Sequence, residues 1–314
     1  MKNDISIKIN GLSNNTSLKI VDSLKDIIEQ FSFLDFRRLS NIVITSNFQR
    51  DLNLISSSNK KTFENKYRSN KNTYAVVVTI PKDDEFEQVL VIRSSFAKSI
   101  IDKTNEQEYK NALHVLNHEF AHIHDNNKKI DVFKNLMKTN TYRGKDSITY
   151  PLAETCWSEY IANFISSNSA IDTNYPKMIA KTLVEKIKRA QNDIKTSLMA
   201  YKINKNRDDL VEDSISQIET LFKTASYLIG YLNGMKITLA QLDDEVDYIL
   251  ETSYFKDIWD VLKYELASIH QVYPHGFINL NIYKKLSFYI ETFYSQMGIV
   301  LDEDQKGRIQ IHIM

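Results

Sequence analysis

In the first third of the chain apolar and polar residues alternate by two, and further on apolar residues recur every three or four positions. These periods predict a strand-containing start and a helical remainder. Ile5-Ser6-Ile7-Lys8-Ile9 and Ser17-Leu18-Lys19-Ile20 alternate on either side of the turn-rich segment 10–15, which predicts a hairpin. Leu24, Ile27, Ile28 and Phe31 fall at helical steps within 21–34, and 41–45 (NIVIT) reads as a strand. The polar run 56–72 predicts a long connection. Segments 73–80 (TYAVVVTI) and 88–93 (QVLVIR) are rich in β-branched residues and predict two strands joined through Pro81-Lys82-Asp83-Asp84-Glu85.

The period then changes. Tyr109, Ala112, Leu113, Leu116, Phe120 and Ile123 form an apolar stripe through 112–125 (ALHVLNHEFAHIHD), which predicts a helix. The polar stretch 126–149 reads as a short helix and a loop around Tyr142-Arg143-Gly144. Pro151 suits the first turn of a new helix, where its missing N–H costs nothing, and Ala153, Trp157, Tyr160, Ile161 and Phe164 continue that helix through 152–167. From about Pro176 the pattern is almost wholly helical. Leu183, Ile187, Ala190, Ile194, Leu198 and Tyr201 make one stripe, and Val211, Ile215, Ile218, Phe222, Ala225 and Ile229 another, which predicts two long antiparallel helices. Helices over 239–254, 257–270 and 283–297, a turn at Tyr273-Pro274-His275-Gly276 and a terminal strand over 308–313 complete the reading. The expected fold class is α+β, with a first domain over 1–174 and a helical domain over 175–314.

The histidine spacing on the 112–125 helix adds chemistry. His118-Glu119-Phe120-Ala121-His122 is an HExxH pattern. On a helix, histidines four apart leave one face a turn from each other, so both imidazoles can reach one metal ion, and zinc is the default. Glu119 is placed to hold and deprotonate a metal-bound water, the general base of metal-assisted amide hydrolysis. The bland alternative is a chance histidine pair on a structural helix. Three protein ligands and one open position are usual for catalytic zinc, so a further residue is required. The metzincin spacing would put glycine at Asp125 and histidine at Lys128, which closes that route. Glu154 and Glu159 on the next helix remain; five apart, they differ by about 140° and cannot both face one metal.

Apolar or uncharged residues around the motif (Val115, Leu116, Phe120, Ala121, Ile123) resemble the flanks of HExxH metallopeptidases. The order helix, strands, HExxH helix, second helix resembles the zincin core, and a glutamate third ligand is the gluzincin arrangement. Glu159-Tyr160-Ile161-Ala162-Asn163-Phe164 resembles the ExxAN/D-x-F segment of ImmA/IrrE-like metallopeptidases, with the phenylalanine displaced by one position. The resemblance covers about 73–167. It implies a zincin-like first half with a small twisted sheet, His118, His122 and Glu159 as ligands of one Zn2+ per chain, and a supporting role for Asn163. Asp125 lies on the histidine face, either orienting an imidazole through its second nitrogen or as a solvated carboxylate near the helix end. His114 reads as structural, and His124 as pointing away. Tyr142, Arg143, Tyr150, His270 and His275 are candidates by type for stabilising an oxyanion.

Composition narrows the function classes. The 314 residues carry 40 Lys plus Arg and 40 Asp plus Glu, so no basic excess points to nucleic acid or an anionic membrane. One cysteine, Cys156, excludes an intrachain disulfide and a multi-cysteine zinc site, and suits a reducing compartment. No apolar run of the roughly twenty residues needed to span a bilayer occurs, and the start has no secretory pattern, so a cytoplasmic protein is expected. The first of the two long helices, to Arg207, is rich in Lys and Arg and 208–260 in Asp and Glu, which reads as solvated helix faces of opposite sign rather than a basic partner-binding surface. The expected function is zinc metallopeptidase action on an intracellular protein or peptide, with a regulatory protein partner open to the helical half. The alternatives are a non-enzymatic zincin-like metal module acting through protein contacts, and a metal-free helical interaction protein.

Overall fold

The computed structural model describes residues 5–57, 73–139, 142–204 and 206–314. Most of the expected 56–72 connection lies outside them. The chain forms two compact units, Met1–Asn140 with Asn168–Thr173, and Thr141–Ser167 with Asn174–Met314. It is a mixed α and β protein with a small sheet and a mostly helical C-terminal part.

The first unit holds strands β1 (Ser6–Asn10), β2 (Leu39–Thr45), β3 (Ala75–Lys82) and β4 (Glu85–Arg93), in the order β1-β2-β4-β3. β1, β2 and β4 are parallel, and β3 runs antiparallel to β4 at one edge. The expected N-terminal hairpin is absent. Residues 17–20 lie in helix α1 (Asn14–Gln30), because Ile20, Leu24 and Ile27 share a buried helical face and Ser13 caps the first turn by accepting from the Thr16 N–H. Four alternating residues fit either period, and such a cap stabilises a helix by about 1 kcal/mol. The parallel β1–β2 pair also requires a crossover, which α1 supplies. Along β4, Phe86, Gln88, Val89, Leu90, Val91 and Ile92 are all buried. Successive strand residues face opposite sides, so both faces of β4 are covered. On one face Val89 and Val91 pack with Val78, Ile80 and with Phe48 and Leu52 of α2 (Phe48–Ser57). A short helix α3 (Ser94–Ser99) follows, then α4 (Glu106–Thr139).

α4 corrects the expected break after residue 125: it is 34 residues long and runs on through the polar stretch to Thr139. Asn105 accepts from the Glu108 N–H at its start, and Glu106 and Glu108 suit the positive end of the helix dipole. The polar residues beyond 125 work as fasteners. Buried Gln88 donates from Nε2 to the Ile123 carbonyl (3.1 Å) and to Asn127 Oδ1 (3.0 Å), while Asn127 Nδ2 donates to the Asp35 carbonyl (2.7 Å). Arg38 pairs with Asp131 at 2.9 Å.

The second unit begins with most of α5 (Asp146–Ala170), which starts five residues before Pro151. α6 (Tyr175–Asn204) and α7 (Arg207–Met235) are the expected long pair, connected through Asn206, whose side chain caps α7 at the Asp209 N–H. Ala180, Leu183, Ile187, Ala190 and Ile194 supply the buried seam of α6, and Ile218, Phe222, Ala225 and Ile229 that of α7. The expected 239–254 helix is two, α8 (Leu239–Leu242) and α9 (Asp244–Glu251), because Asp243 leaves helical geometry (φ −164°) and caps the second by accepting from the Val246 N–H. Then come α10 (Lys256–Val272) and α11 (Lys284–Gln296). Phe222, Phe255 and Phe293 meet edge to face at 5.2–5.9 Å between ring centres. The terminal strand pairs with one not expected: β5 (Ile299–Glu303) and β6 (Ile309–Ile313) form an antiparallel hairpin. No helix among the described residues is long and apolar enough to cross a membrane.

Candidate metal centre

Ala112, Leu116, Phe120 and Ile123 bury one side of α4, and the histidines emerge at its margin, half-buried. The four-residue step brings the two Nε2 atoms of His118 and His122 to 3.0 Å, with the rings edge to face. Two nitrogens bound tetrahedrally to one ion at about 2.0–2.1 Å lie about 3.3 Å apart, so this separation suits a shared ion. His118, His122 and Glu159 form a group that could hold a metal ion, their ligand atoms all within 4.8 Å of one another. Two imidazole nitrogens and a carboxylate are the donor set of an open, four-coordinate site. Among these, Glu159 is buried.

Compared with family models, with curated proteins and with solved structures, the chain matches none. Its chemistry is therefore read from the side chains themselves.

Glu159 is held within the second unit by several contacts. Lys223 of α7 places its ammonium 2.8 Å from Glu159 Oε1, and that carboxylate holds the ammonium above the ordinary lysine value. Lys223 Nζ also lies 5.6 Å from the ring centre of Tyr227, one turn on. Asn163 Nδ2 donates to the backbone carbonyl of Glu159 at 2.8 Å, so its support is to the helix rather than to the carboxylate. The backbones of α5 and α7 come close here. A Cβ on Gly230 would lie 2.4 Å from the Tyr160 carbonyl oxygen, and one on Gly234 2.6 Å from that of Phe164. Cys156 on the same helix is fully buried, and burial pushes its thiol up to about 12.

The other candidates are occupied elsewhere. Glu154 accepts from the Tyr142 hydroxyl at 2.5 Å and is outside the His-His-Glu group, and Tyr150 packs on the Tyr142 ring. His270 Nδ1 lies 3.0 Å from the Tyr160 hydroxyl in an aromatic surround with Trp157 and Phe164, and burial lowers its pKa. Arg143 and His275 are exposed. His114 Nδ1 sits 3.0 Å from Ser169 Oγ, a structural contact, and His124 Nδ1 accepts from the Asp35 backbone N–H, which turns it to the start of β2. Asp125 is not a solvated terminal carboxylate. It lies mid-helix, fully buried, with Lys129 Nζ at 2.9 Å.

Lys223 and Tyr227 escaped the sequence reading. Lys223 follows Phe222 of the apolar stripe and lies within the acid-rich 208–260 stretch. Its signal is its register: seven residues before Gly230, in a run that ends Gly230-x-x-x-Gly234. Residues seven apart share a helix face, and small residues four apart mark a close helix approach.

Proposed function

We propose that this chain is a zincin-like, zinc-dependent peptide hydrolase, with His118, His122 and Glu159 as the ligands and Glu119 as the general base. One observation carries the reading: two imidazole nitrogens 3.0 Å apart belong to a group completed by a buried carboxylate. A divalent ion held by this group supplies Lewis acidity, lowering the pKa of water and polarising a carbonyl. Glu119 follows His118 and is itself buried, at 9% exposure. It lies about 60° round the helix from His122, close enough in direction for its carboxylate to take a proton from water beside the group and deliver it to the leaving amine.

The sheet supports a peptide as substrate. β3 is an edge strand, antiparallel to β4, and the first unit packs it against α4 near Asn126, whose Nδ2 is 3.5 Å from Thr79 Oγ1. An extended peptide can add to such an edge through main-chain hydrogen bonds. The zincin-like reading draws on a small sheet, a helix bearing HExxH and a second helix bearing the glutamate.

The test has two arms. Metal analysis of the purified chain should find about one zinc per chain, lost in His118→Ala and retained in Glu119→Gln. A peptide-library digest should then show cleavage by the wild type and none by Glu119→Gln. Zinc retained with no cleavage by either chain would favour a non-enzymatic metal module, and full cleavage by Glu119→Gln would remove Glu119 from the chemistry.

A further inference from the structure

Lys223 is a cation set against a candidate metal ligand. Its Nζ is 2.8 Å from Glu159 Oε1, and the carboxylate is buried while the lysine stem leads out along α7 to partial exposure. A buried carboxylate without compensating charge is strongly unfavourable, and this ammonium supplies the compensation from within the second unit. The position is fixed. Gly230 and Gly234 hold α7 close to α5, and Lys223 is two turns before Gly230 on the same face.

We propose that Lys223 is a positioning residue that stands in for the metal: it pairs with Glu159 and keeps it aimed while the chain is metal-free, and it weakens the affinity for a divalent cation once one arrives. The proposal rests on the reading of Glu159 as a ligand. The physical reason is that both cations call on one carboxylate. A carboxylate has two oxygens, so an ion pair through one does not exclude ligation through the other, but the ammonium then stands within a few ångströms of a doubly charged ion. Like charges at that range in a partly buried setting repel substantially. Removing the lysine charge should therefore do two opposite things, destabilising the metal-free chain and tightening metal binding. A residue that only braced the fold would do the first and leave the second alone. One that only oriented the carboxylate would weaken binding.

The experiment measures zinc affinity of the full chain by competition with a chromophoric chelator, and the melting temperature of the metal-free chain, for wild type, Lys223→Gln and Lys223→Arg. Lys223→Gln keeps a hydrogen-bond donor without the charge and should bind zinc about tenfold more tightly while melting lower without metal. Lys223→Arg keeps the charge and should bind like the wild type. Unchanged or weaker zinc binding in folded Lys223→Gln overturns the proposal and leaves the His-His-Glu site standing. Absence of saturable zinc binding by the wild type overturns both.

A second measurement needs no variant. Acylation of lysines in the wild-type chain, read by mass spectrometry, should rise at least about twofold at Lys223 when zinc is added, because a metal on Glu159 loosens the ion pair. Lys256, in the second unit and paired with Asp260, is the internal reference. No zinc-dependent change at Lys223 would count against the proposal even if Lys223→Gln failed to fold.

Discussion

α4 and α5 both carry members of the candidate metal group, yet they are built in opposite ways. α4 is two-faced. Its apolar stripe is buried, its other side is half-buried through the middle and exposed towards both ends, and side-chain hydrogen bonds from Gln88 and Asn127 fix where it lies on the sheet. α5 is enclosed on nearly every side from Leu152 to Ser167, with Cys156, Trp157, Tyr160, Ile161, Ala162, Asn163 and Ser166 all at 1% exposure or less. Its position is set by backbone closeness to α7 at Gly230 and Gly234. A helix with a half-buried face can adjust a side chain there when one contact changes; a more fully enclosed helix must move as a body. The carboxylate of the group sits on the enclosed helix and the imidazoles on the two-faced one, so damage to the two should read out differently.

The strongest way to break the contrast is Gly230→Val. Its branched side chain would enter the space of the Tyr160 carbonyl and the Asn163 Cβ, both backbone-anchored, so relief requires α7 to shift. The expected loss is about 2–4 kcal/mol in urea unfolding. Cys156 gives an independent view, because it is buried on α5 with its thiol pushed up to about 12. Native alkylation should be very slow in the wild type and rise about a hundredfold with a loss near 3 kcal/mol. Unchanged Cys156 labelling in Gly230→Val would mean the glycine contact does not hold α5.

How far each helix could be read from sequence follows from the same contrast. The 112–125 part of α4 was legible because one buried face leaves a 3.6-residue period. Its extension to Thr139 was not, because Asn126 and Asn127 look like loop residues until Gln88 of a distant strand is seen to pair with them. α5 has little period to read, because small polar, acidic and apolar residues are mixed round its circumference and several of the polar ones are buried, and Pro151 drew its start inward from Asp146. At the N-terminus, residues 17–20 satisfied two periods at once, and the choice fell to the Ser13 cap and the parallel β1–β2 pairing. β5 offers only Ile299, Val300 and Leu301 after Gly298, too short a run to declare itself. At the candidate site, the histidine pair is local to one helical turn and therefore visible. Choosing between Glu154 and Glu159 needed a resemblance, and the Lys223 contact is 64 positions away in sequence, beyond any local pattern.

For α4 the corresponding lever is Gln88→Leu. Gln88 is fully buried and donates to the Ile123 carbonyl and Asn127 Oδ1, while its Oε1 accepts from Asn126 Nδ2. Leucine preserves bulk and removes all three bonds, so buried polar groups lose a partner at a cost of about 1–3 kcal/mol. Because α4 retains its apolar stripe, the helix should stay in place and Cys156 labelling should rise only as far as global stability falls. A loss as large as that of Gly230→Val would erase the distinction between the two helices.

The mildest change separates the two carboxylates of α5. Tyr142 donates to Glu154 Oε1 at 2.5 Å, and burial, followed by Glu154 itself, raises the phenol's pKa, so the hydroxyl keeps its proton and acts as a donor at neutral pH. Glu154 is only partly buried and reaches water once the phenol is gone, so Tyr142→Phe should cost about 0.5–1 kcal/mol, visible as a small drop in the urea midpoint. Zinc content should not change with it, nor with Glu154→Gln, whereas Glu159→Gln should lose most of the bound zinc. The three variants together test the direction of α5 about its own axis, since a turn of about 140° exchanges the two side chains. Zinc lost with Glu154→Gln and kept with Glu159→Gln would mean that the helix presents the other carboxylate, and the His-His-Glu assignment would have to be redrawn around it.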